Sequence, residues 1–403
     1  MENNNNENQN NHQNMNLSVN QNMNLSVNQN MNLSVNQNIG INQNEIQRND
    51  NNYSFSRYKK AIKTVLKPLG DTSYLNTVLY TLGNIRNIAS YFLNPKNQNY
   101  INKRIGDMPL SYVFERLLLH FYPYPENDKK EIYEPSSFLK VLGTLNSTYN
   151  TFQKRNPNEL IIFILETLHK DLNLNKAINN NNNLNLNFNT NDKKSVIKNE
   201  IINIQNSENS IIFNNFNWFE IKESKCTKCN NTKYELLTFK TFSLDIQNSK
   251  KNENDYFTIY DCLKYYQATK KFNICCNQCK NNNQLITTNI FSTPNIFIFL
   301  LDRGIDLDEK NNLINIPFYL FDKIDLNNFI ENRNTPQKYE IIGIISIDIK
   351  EKKYVNFCMS PIDKLWYFYK DENIEQADIT NIIDKHNNFK ELIPCILIYK
   401  FTG

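Results

Sequence analysis

The stretch KPLGDTSYLNTVLYTL occupies residues 67–82, and a helical pattern begins inside it. From 74 to 93, apolar residues recur at the spacing of one helix face. Residues 109–121 and 158–172 show the same spacing. From about residue 210 onward, β-branched and aromatic runs of strand length take over, among them NIFIFLL, EIIGIISIDI and CILIYKF. Helices come first and strands follow, which predicts an α+β domain with segregated layers.

Composition limits the classes of protein that the chain can represent. It has 403 residues, enough for one large domain or two ordinary ones, and with 40% hydrophobic and 12% aromatic residues part of the chain can bury a substantial core. The low mean hydropathy of −0.61 reflects Asn-rich tracts that dilute a normal domain. A net charge of +4 gives no direct signal for nucleic acid. The absence of a membrane-length apolar run or an apolar leader predicts an intracellular protein of the cytoplasm or nucleus, with no membrane partner.

Two Asn-rich segments stand apart from the predicted domain. In residues 1–52 the octapeptide QNMNLSVN occurs three times, at 13–20, 21–28 and 29–36. Its few apolar residues cannot offset the entropy of folding, which predicts a disordered tail; an Asn-rich self-association segment is the alternative. A second tract over about 171–200 differs from both flanks and is interpreted as an insertion in a surface loop.

Eight cysteines include two pairs at C-x-x-C spacing, Cys226–Cys229 and Cys276–Cys279. Each pair can place two thiolates on one turn, and two such turns complete a tetrahedral Zn²⁺ site carried at one end of antiparallel strands. Four thiolates leave no open position, so the predicted zinc is structural. Chance pairs and a redox pair are the alternatives. Cys275 adjoins the second pair and leaves its register open.

Four ordered blocks of the chain resemble the ubiquitin-specific protease family. Residues 67–82 resemble its first box, GLxNxGNTCYLNSxLQxL, and 154–172 its second, QQDAxEFLxxLLDxLHxxL. The cysteine pairs stand where the family carries its fingers zinc, and 339–374 resemble its last box, with CILIYKF after it. The matching residues are Gly70, Thr72, Tyr74, Leu75, Asn76, Leu79, Glu159, Leu168, His169, Leu172, Tyr339, Gly343, Tyr354, Trp366 and Tyr367.

The resemblance covers about 60–403 and implies a papain-like cysteine-hydrolase fold. Its thumb would span about 60–170, its zinc-ribbon fingers about 210–290 and its palm about 290–403. It also implies a chemistry in which a Cys thiolate attacks the isopeptide carbonyl at the end of ubiquitin. A His then moves the proton, an Asp or Asn orients the His, and an Asn stabilises the oxyanion.

Each of these catalytic positions departs from the family pattern. The nucleophile position is Ser73, the base position is Lys353, and the orienting position is Lys370, followed by Asp371. The oxyanion position is Asp71, whose carboxylate would repel a developing oxyanion. A Ser73–Lys353 dyad would need a neutral lysine, so an ion pair of Lys353 with Asp71, or a solvated lysine, is the preferred interpretation.

Four histidines offer no obvious replacement for the base. His12 lies in the tail, His120 on a predicted thumb helix, and His169 aligns with a structural helix His of the family. His386 has no counterpart and is predicted to lie in a solvent loop.

The sequence therefore predicts a catalytically degenerate member of the family. It would bind ubiquitin or a ubiquitinated protein, or scaffold a protein complex, and hold a structural Zn²⁺. One alternative is an active deubiquitinase with a non-standard site. Another is an RNA-processing assembly subunit, because inactive members of the family occur in a splicing factor and a poly(A)-nuclease scaffold.

Overall fold

The computed structural model describes residues 55, 57–101, 109–124, 131–174, 184–186, 193–249, 257–301, 303, 316–331, 336–388 and 391–403. The described residues all belong to one compact unit, Ser54–Gly403. The predicted tail over 1–52 and much of the predicted insertion over 171–200 lie outside the described residues. Within the described part, no helix combines the length and apolar character needed to cross a membrane.

Helices occupy most of the first half of the described domain, as the apolar spacing predicts. The pattern over 74–93 forms two helices, because Ile85 adopts extended backbone (ψ 109°) after the first one ends. The helices are α1 Ser73–Gly83, α2 Arg86–Phe92, α3 Gln98–Ile101, α4 Leu110–Phe121, α5 Ser136–Leu145, α6 Pro157–Leu172, α7 Lys193–Ser207, α8 Ile211–Phe216, α9 Ile259–Gln267 and α10 Ile379–Asn387.

Strands dominate the second half of the described domain, and across the described residues the strands form three sheets. The strands are β1 Val65–Leu66, β2 Ile132–Tyr133, β3 Leu184–Leu186, β4 Trp218–Cys226, β5 Thr232–Phe239, β6 Phe242–Leu244, β7 Lys270–Asn273, β8 Asn283–Ser292, β9 Ile296–Leu301, β10 Lys323–Asp325, β11 Lys338–Asp348, β12 Lys353–Met359, β13 Trp366–Lys370, β14 Asn373–Ala377 and β15 Leu392–Phe401. The first sheet is the parallel pair of β1 and β2. The second has eight strands in the order β14-β13-β12-β11-β15-β9-β6, with β10 also paired to β11, and the third has five in the order β3-β5-β4-β8-β7.

The eight-stranded sheet is covered on both faces, which explains its apolar central strands. One face packs in a core with α1, α4 and α6, and the other in a second core with α9 and α10. All six residues of β9 are buried, so its IFIFLL run reads as continuously apolar. Helix α1 packs against β12, and this contact places the first box of the sequence beside the last one.

The five-stranded sheet carries the four paired cysteines at one end, as the sequence predicts. Strand β4 ends at Cys226, and β4 pairs antiparallel with both β5 and β8. Helix α7, which begins inside the predicted insertion, was not expected from the sequence. It packs on this sheet through Ile197 and Ile201, with Ile204 half-buried beside them.

Candidate functional site

The site around Ser73 begins with a tight turn before α1. Gly70 has a φ of +73°, a conformation that favours glycine, and a Cβ added there would lie 3.1 Å from the Cβ of Phe152. The Asp71 N–H donates to the Phe152 carbonyl at 2.9 Å. This turn fixes where α1 starts, so Ser73 is its first residue and is only half-buried.

The Ser73 hydroxyl lies against the backbone of β12. Its Oγ accepts a hydrogen bond from the Tyr354 N–H at 3.2 Å. Lys154 reaches the same place from the segment before α6: its Nζ donates to the Lys352 carbonyl and lies 5.8 Å from the centre of the Tyr354 ring. The first and last boxes therefore meet at Ser73, as the resemblance implies.

Tyr80 fixes α1 in this position. Its hydroxyl donates to the Thr64 carbonyl at 3.0 Å and accepts from the Leu66 N–H at 2.7 Å. Its ring stacks on Tyr369 of β13 with a centroid distance of 4.3 Å. The helix that carries Ser73 is thus tied to β1 on one side and to the large sheet on the other.

Lys353 forms an ion pair with Asp371. The Nζ–Oδ2 distance is 2.9 Å, and the hydrogen bond that Lys353 donates to Asp371 raises the pKa of Lys353 above its ordinary value. The partner is Asp371 and not Asp71, so the Lys353–Asp71 pair suggested by the sequence is wrong. A lysine whose pKa is raised stays protonated at neutral pH and cannot take a proton from a serine hydroxyl.

Lys370 joins a second group of charges at the same end of the sheet. Its Nζ lies 2.9 Å from Asp348 Oδ2 and 2.7 Å from Glu351 Oε1. Burial alone would lower the pKa of Lys370, but its hydrogen bonds to the two carboxylates outweigh burial and raise it. Asp348 also accepts the N–H groups of Lys350 and Glu351. The sequence did not predict the acidic partners of these two lysines, because the β11–β12 and β13–β14 turns that carry them come together only in the fold.

His386 does not lie in a solvent loop, so that prediction is wrong. It is fully buried near the end of α10, an element that the sequence reading missed. Its Nδ1 lies 2.6 Å from the Ile382 carbonyl, to which it donates, and its Nε2 accepts from the Ser346 hydroxyl at 2.7 Å. Both ring nitrogens are therefore occupied inside the core.

The other two described histidines are also engaged away from Ser73. His169 contacts Ser210 at 2.7 Å and Glu208 at 3.0 Å, and His120 contacts Glu131 at 2.5 Å. Within the described residues, every histidine side chain is thus bound to groups other than Ser73.

We expect His386 to make the fold sensitive to acid. Burial lowers its pKa from 6.5 to about 4. Below pH 6.5 the unfolded chain takes up a proton that the folded chain refuses, so stability is lost as the pH falls from 6.5 to 4. At 1.36 kcal/mol per pKa unit, the free energy of unfolding falls by about 3 kcal/mol over this range. Urea unfolding at pH 7 and pH 4.5 should show a smaller loss for His386→Gln than for the wild type; equal losses would contradict the assignment.

The four paired cysteines converge at the end of the five-stranded sheet. Their Sγ atoms all lie within 4.8 Å of one another, with 3.5 Å between Cys226 and Cys279 and 3.7 Å between Cys229 and Cys276. Tetrahedral Zn–S bonds of about 2.3 Å separate sulfur atoms by about 3.8 Å, so this donor set fits zinc. The neighbouring Cys275 is exposed and is not part of the cluster.

The backbone closes each cysteine pair of this cluster into a tight turn. Asn230 and Lys280, the residues directly after each pair, have φ of 57° and 60°. Their N–H groups close the turns on the carbonyls of Cys226 and Cys276 at 3.1 and 3.0 Å. The backbone N–H groups of Cys229 and Lys228 lower the pKa of Cys226, whereas burial and hydrogen bonds with the neighbouring thiols raise the pKa of Cys229.

Comparison with known proteins gives a family match over most of the chain. Residues 64–399 match the family model described as ubiquitin carboxyl-terminal hydrolase. Ubiquitin carboxyl-terminal hydrolase 4 of Saccharomyces cerevisiae (strain YJM789) is 23% identical over 342 residues, covering 76% of this chain and 36% of the relative. Ubiquitin carboxyl-terminal hydrolase 5 of Saccharomyces cerevisiae (strain ATCC 204508 / S288c) is 22% identical over 339 residues, covering 76% and 41%. The chain thus spans well under two thirds of these relatives.

Solved structures share the fold. A SAGA DUB module bound to monoubiquitin superposes with a TM-score of 0.62 at 17% identity, covering 86% of this chain and 70% of that chain. The SAGA DUB module bound to ubiquitin aldehyde gives a TM-score of 0.61 at 16% identity, covering 84% and 70%. At this identity the likeness concerns the arrangement of helices and sheets, and it confirms the predicted fold class.

Proposed function

This chain belongs to the ubiquitin carboxyl-terminal hydrolase family, and from that premise we propose that it is a pseudo-deubiquitinase that binds ubiquitin or a ubiquitinated protein without cleaving the isopeptide bond. The observation that carries the proposal is the ion pair of Lys353 with Asp371 at 2.9 Å. A protonated lysine held by a carboxylate, at the position that the sequence resemblance assigns to the base, supports the absence of catalysis. The ubiquitin-bound state of the structurally similar SAGA module supports ubiquitin as the first ligand to test.

The chemistry of the remaining positions supports the same conclusion. A serine hydroxyl is a weak nucleophile unless a neighbouring base removes its proton. Ser73 accepts a hydrogen bond from the Tyr354 backbone, which makes its oxygen less nucleophilic. Lys370 is held by two carboxylates and has no imidazole to orient. Asp71 would place negative charge near the position of a developing oxyanion.

Two measurements, ubiquitin binding and hydrolysis of a ubiquitin substrate, distinguish a pseudo-deubiquitinase from an active enzyme and from a scaffold. Titration of the full chain with free ubiquitin should give a dissociation constant at or below the micromolar range, while a fluorogenic ubiquitin substrate should show no hydrolysis over hours. Turnover that Ser73→Ala abolishes would establish an active enzyme instead. If ubiquitin does not bind up to high micromolar concentrations, the domain is a scaffold for other proteins.

Ser73→Cys should remain inactive. A thiol at this position still faces a protonated Lys353 and lacks an imidazole partner, so we expect hydrolysis to stay within a factor of about two of the uncatalysed rate. The measurement is the initial rate with the fluorogenic substrate, compared with Ser73→Ala. A clear gain for the cysteine variant alone would show that another group acts as the base.

We further propose that Cys226, Cys229, Cys276 and Cys279 hold a structural Zn²⁺. The Sγ separations and the two closed turns support a four-thiolate set. When bound, zinc would supply cross-links between β4 and the segment before β8. The division into thumb, fingers and palm, and the disordered state of the tail, remain predictions of the sequence.

A further inference from the structure

Strand β7 forms one edge of the five-stranded sheet. It pairs with β8 on one side, and none of the strands in the described part of the chain pairs with it on the other. Lys271, Phe272 and Asn273 are all exposed. In an antiparallel pair, alternate residues direct their N–H and C=O groups away from the partner strand. The outer side of β7 therefore offers main-chain donors and acceptors that a further strand could pair with.

The two faces of the sheet differ in chemistry along this edge. Lys271 is in register with Leu285, and Leu285 with Lys225, so these side chains form one row across β7, β8 and β4. Both lysines are exposed, and Leu285 between them is 37% exposed. Phe272 points to the opposite face and is 42% exposed, and Ile274, two residues further on, is 43% exposed. A strand added beside β7 would meet cations on one face and an aromatic ring on the other.

The charge at this end of the sheet has one sign. Residues 224–233 and 269–287 include six lysines and neither aspartate nor glutamate. Lys233 pairs with Glu235 at 2.9 Å, and Lys270 lies 3.6 Å from the centre of an aromatic ring of α9. The other four are exposed: Lys225, Lys228, Lys271 and Lys280. A zinc ion held by four thiolates would be a net anion, but the lysines exceed its charge, so this edge favours an acidic ligand.

We propose that the outer edge of β7 is a second binding surface, which takes an extended acidic segment of a partner protein as an additional strand of the five-stranded sheet. Main-chain hydrogen bonds to β7 would hold the segment, its acidic side chains would lie beside Lys271, and its apolar side chains beside Phe272. Ser73 lies against β12 of the eight-stranded sheet, so the two surfaces are on different sheets. The proposal goes beyond ubiquitin binding and does not depend on it.

Charge and composition disfavour two other occupants of this edge. Pairing β7 with β7 of a second copy would bring their lysines together, and charged edge strands discourage such self-association. An acidic segment instead neutralises the lysines, so the edge selects its partner by charge. Single-stranded nucleic acid would also be attracted, but it binds proteins by stacking successive bases on aromatic side chains. Phe272 is the only aromatic residue in 224–233 and 269–287, which favours a peptide.

Fluorescence anisotropy with the full, zinc-loaded chain tests the proposal. The probe is a labelled short peptide of alternating glutamate and valine, and a lysine–valine peptide of the same length should not bind. Two further versions carry N-methyl groups on the glutamate nitrogens or on the valine nitrogens, which removes main-chain donors without changing charge. We expect one of these two versions to bind about tenfold more weakly, because only one set of alternate N–H groups faces β7.

Charge reversal on the protein locates the surface. Lys271→Glu, and Lys225→Glu in the same row, should each weaken binding of the glutamate–valine peptide about tenfold with zinc content unchanged. Lys140→Glu, an exposed position on α5, is the matched control and should bind like the wild type. The peptide should also slow hydrogen exchange over residues 270–274 of the wild type.

Three outcomes would overturn the proposal. Equal affinity for the unmodified peptide and both N-methylated versions would mean attraction by charge without an added strand. Equal affinity of the wild type, Lys271→Glu and Lys225→Glu would place the peptide elsewhere. Binding of a single-stranded oligouridylate without binding of the peptide would assign the edge to nucleic acid. Each outcome leaves ubiquitin binding, which is measured separately, unaffected.

Discussion

Cys276→Ser is expected to abolish zinc retention and to lower the free energy of unfolding by more than about 4 kcal/mol. A serine hydroxyl is not a thiolate ligand, and three sulfur atoms cannot close a structural tetrahedral site. Cys276 is buried, and its N–H closes the second turn on the Asn281 carbonyl at 2.7 Å. Losing the metal leaves two turns with left-handed residues and no cation to hold them together.

Cys275→Ser is the matched control. Cys275 is exposed, and its Sγ contacts only the carbonyl of Cys276, at 3.8 Å. Metal content by atomic absorption should remain at one zinc per chain in this variant, with unchanged urea unfolding. If Cys275→Ser loses zinc and Cys276→Ser keeps it, the register of the second pair is shifted by one residue. Chelation of the wild type should reproduce the Cys276→Ser phenotype.

Tyr80→Ala is expected to destabilise the domain by about 4 kcal/mol. The change removes a ring that stacks on Tyr369 and on Phe121. It also leaves the Leu66 N–H and the Thr64 carbonyl without their buried partner. Because Tyr80 ties the helix that carries Ser73 to both β1 and the large sheet, the loss should propagate to the site.

Tyr80→Phe distinguishes the contribution of the stacked ring from that of the hydroxyl group. It keeps the stacked ring and removes only the hydroxyl, so we expect a cost of about 1–2 kcal/mol. Urea unfolding monitored by circular dichroism gives both values. A Tyr80→Ala variant no less stable than Tyr80→Phe would mean that the ring contributes nothing to the anchoring of α1.

Local residue patterns predicted the elements of the fold whose apolar residues recur at regular spacing or in uninterrupted runs. The spacing of apolar residues predicted α4 and α6 nearly to their ends, and uninterrupted apolar runs predicted β9 and β15. Paired cysteines predicted the cluster at the end of the five-stranded sheet, because the C-x-x-C spacing is itself a local geometric constraint. The resemblance to the family implied that the Ser73 box lies beside the Lys353 box, and the contact of α1 with β12 agrees with it.

Three features of the fold were not predicted from the sequence. Helix α7 was missed although Ile197, Ile201 and Ile204 have helical spacing, because the helix begins inside an Asn-rich tract that was interpreted as an insertion. His386 was assigned to a solvent loop because it has no counterpart in the family pattern, whereas helix α10 turns it toward Ser346. The partner of Lys353 could not be predicted, because Asp371 reaches it only through the pairing of β12 with β13 and the turn that follows.

The charges around Lys370 oppose the placement of a carboxylate at this position. Asp348 and Glu351 both depend on the ammonium of Lys370 for compensation. Lys370→Asp would remove that cation and crowd a third negative charge against the first two. We therefore expect this variant to be less stable than the wild type. The network favours a cation at position 370 and penalises a carboxylate there.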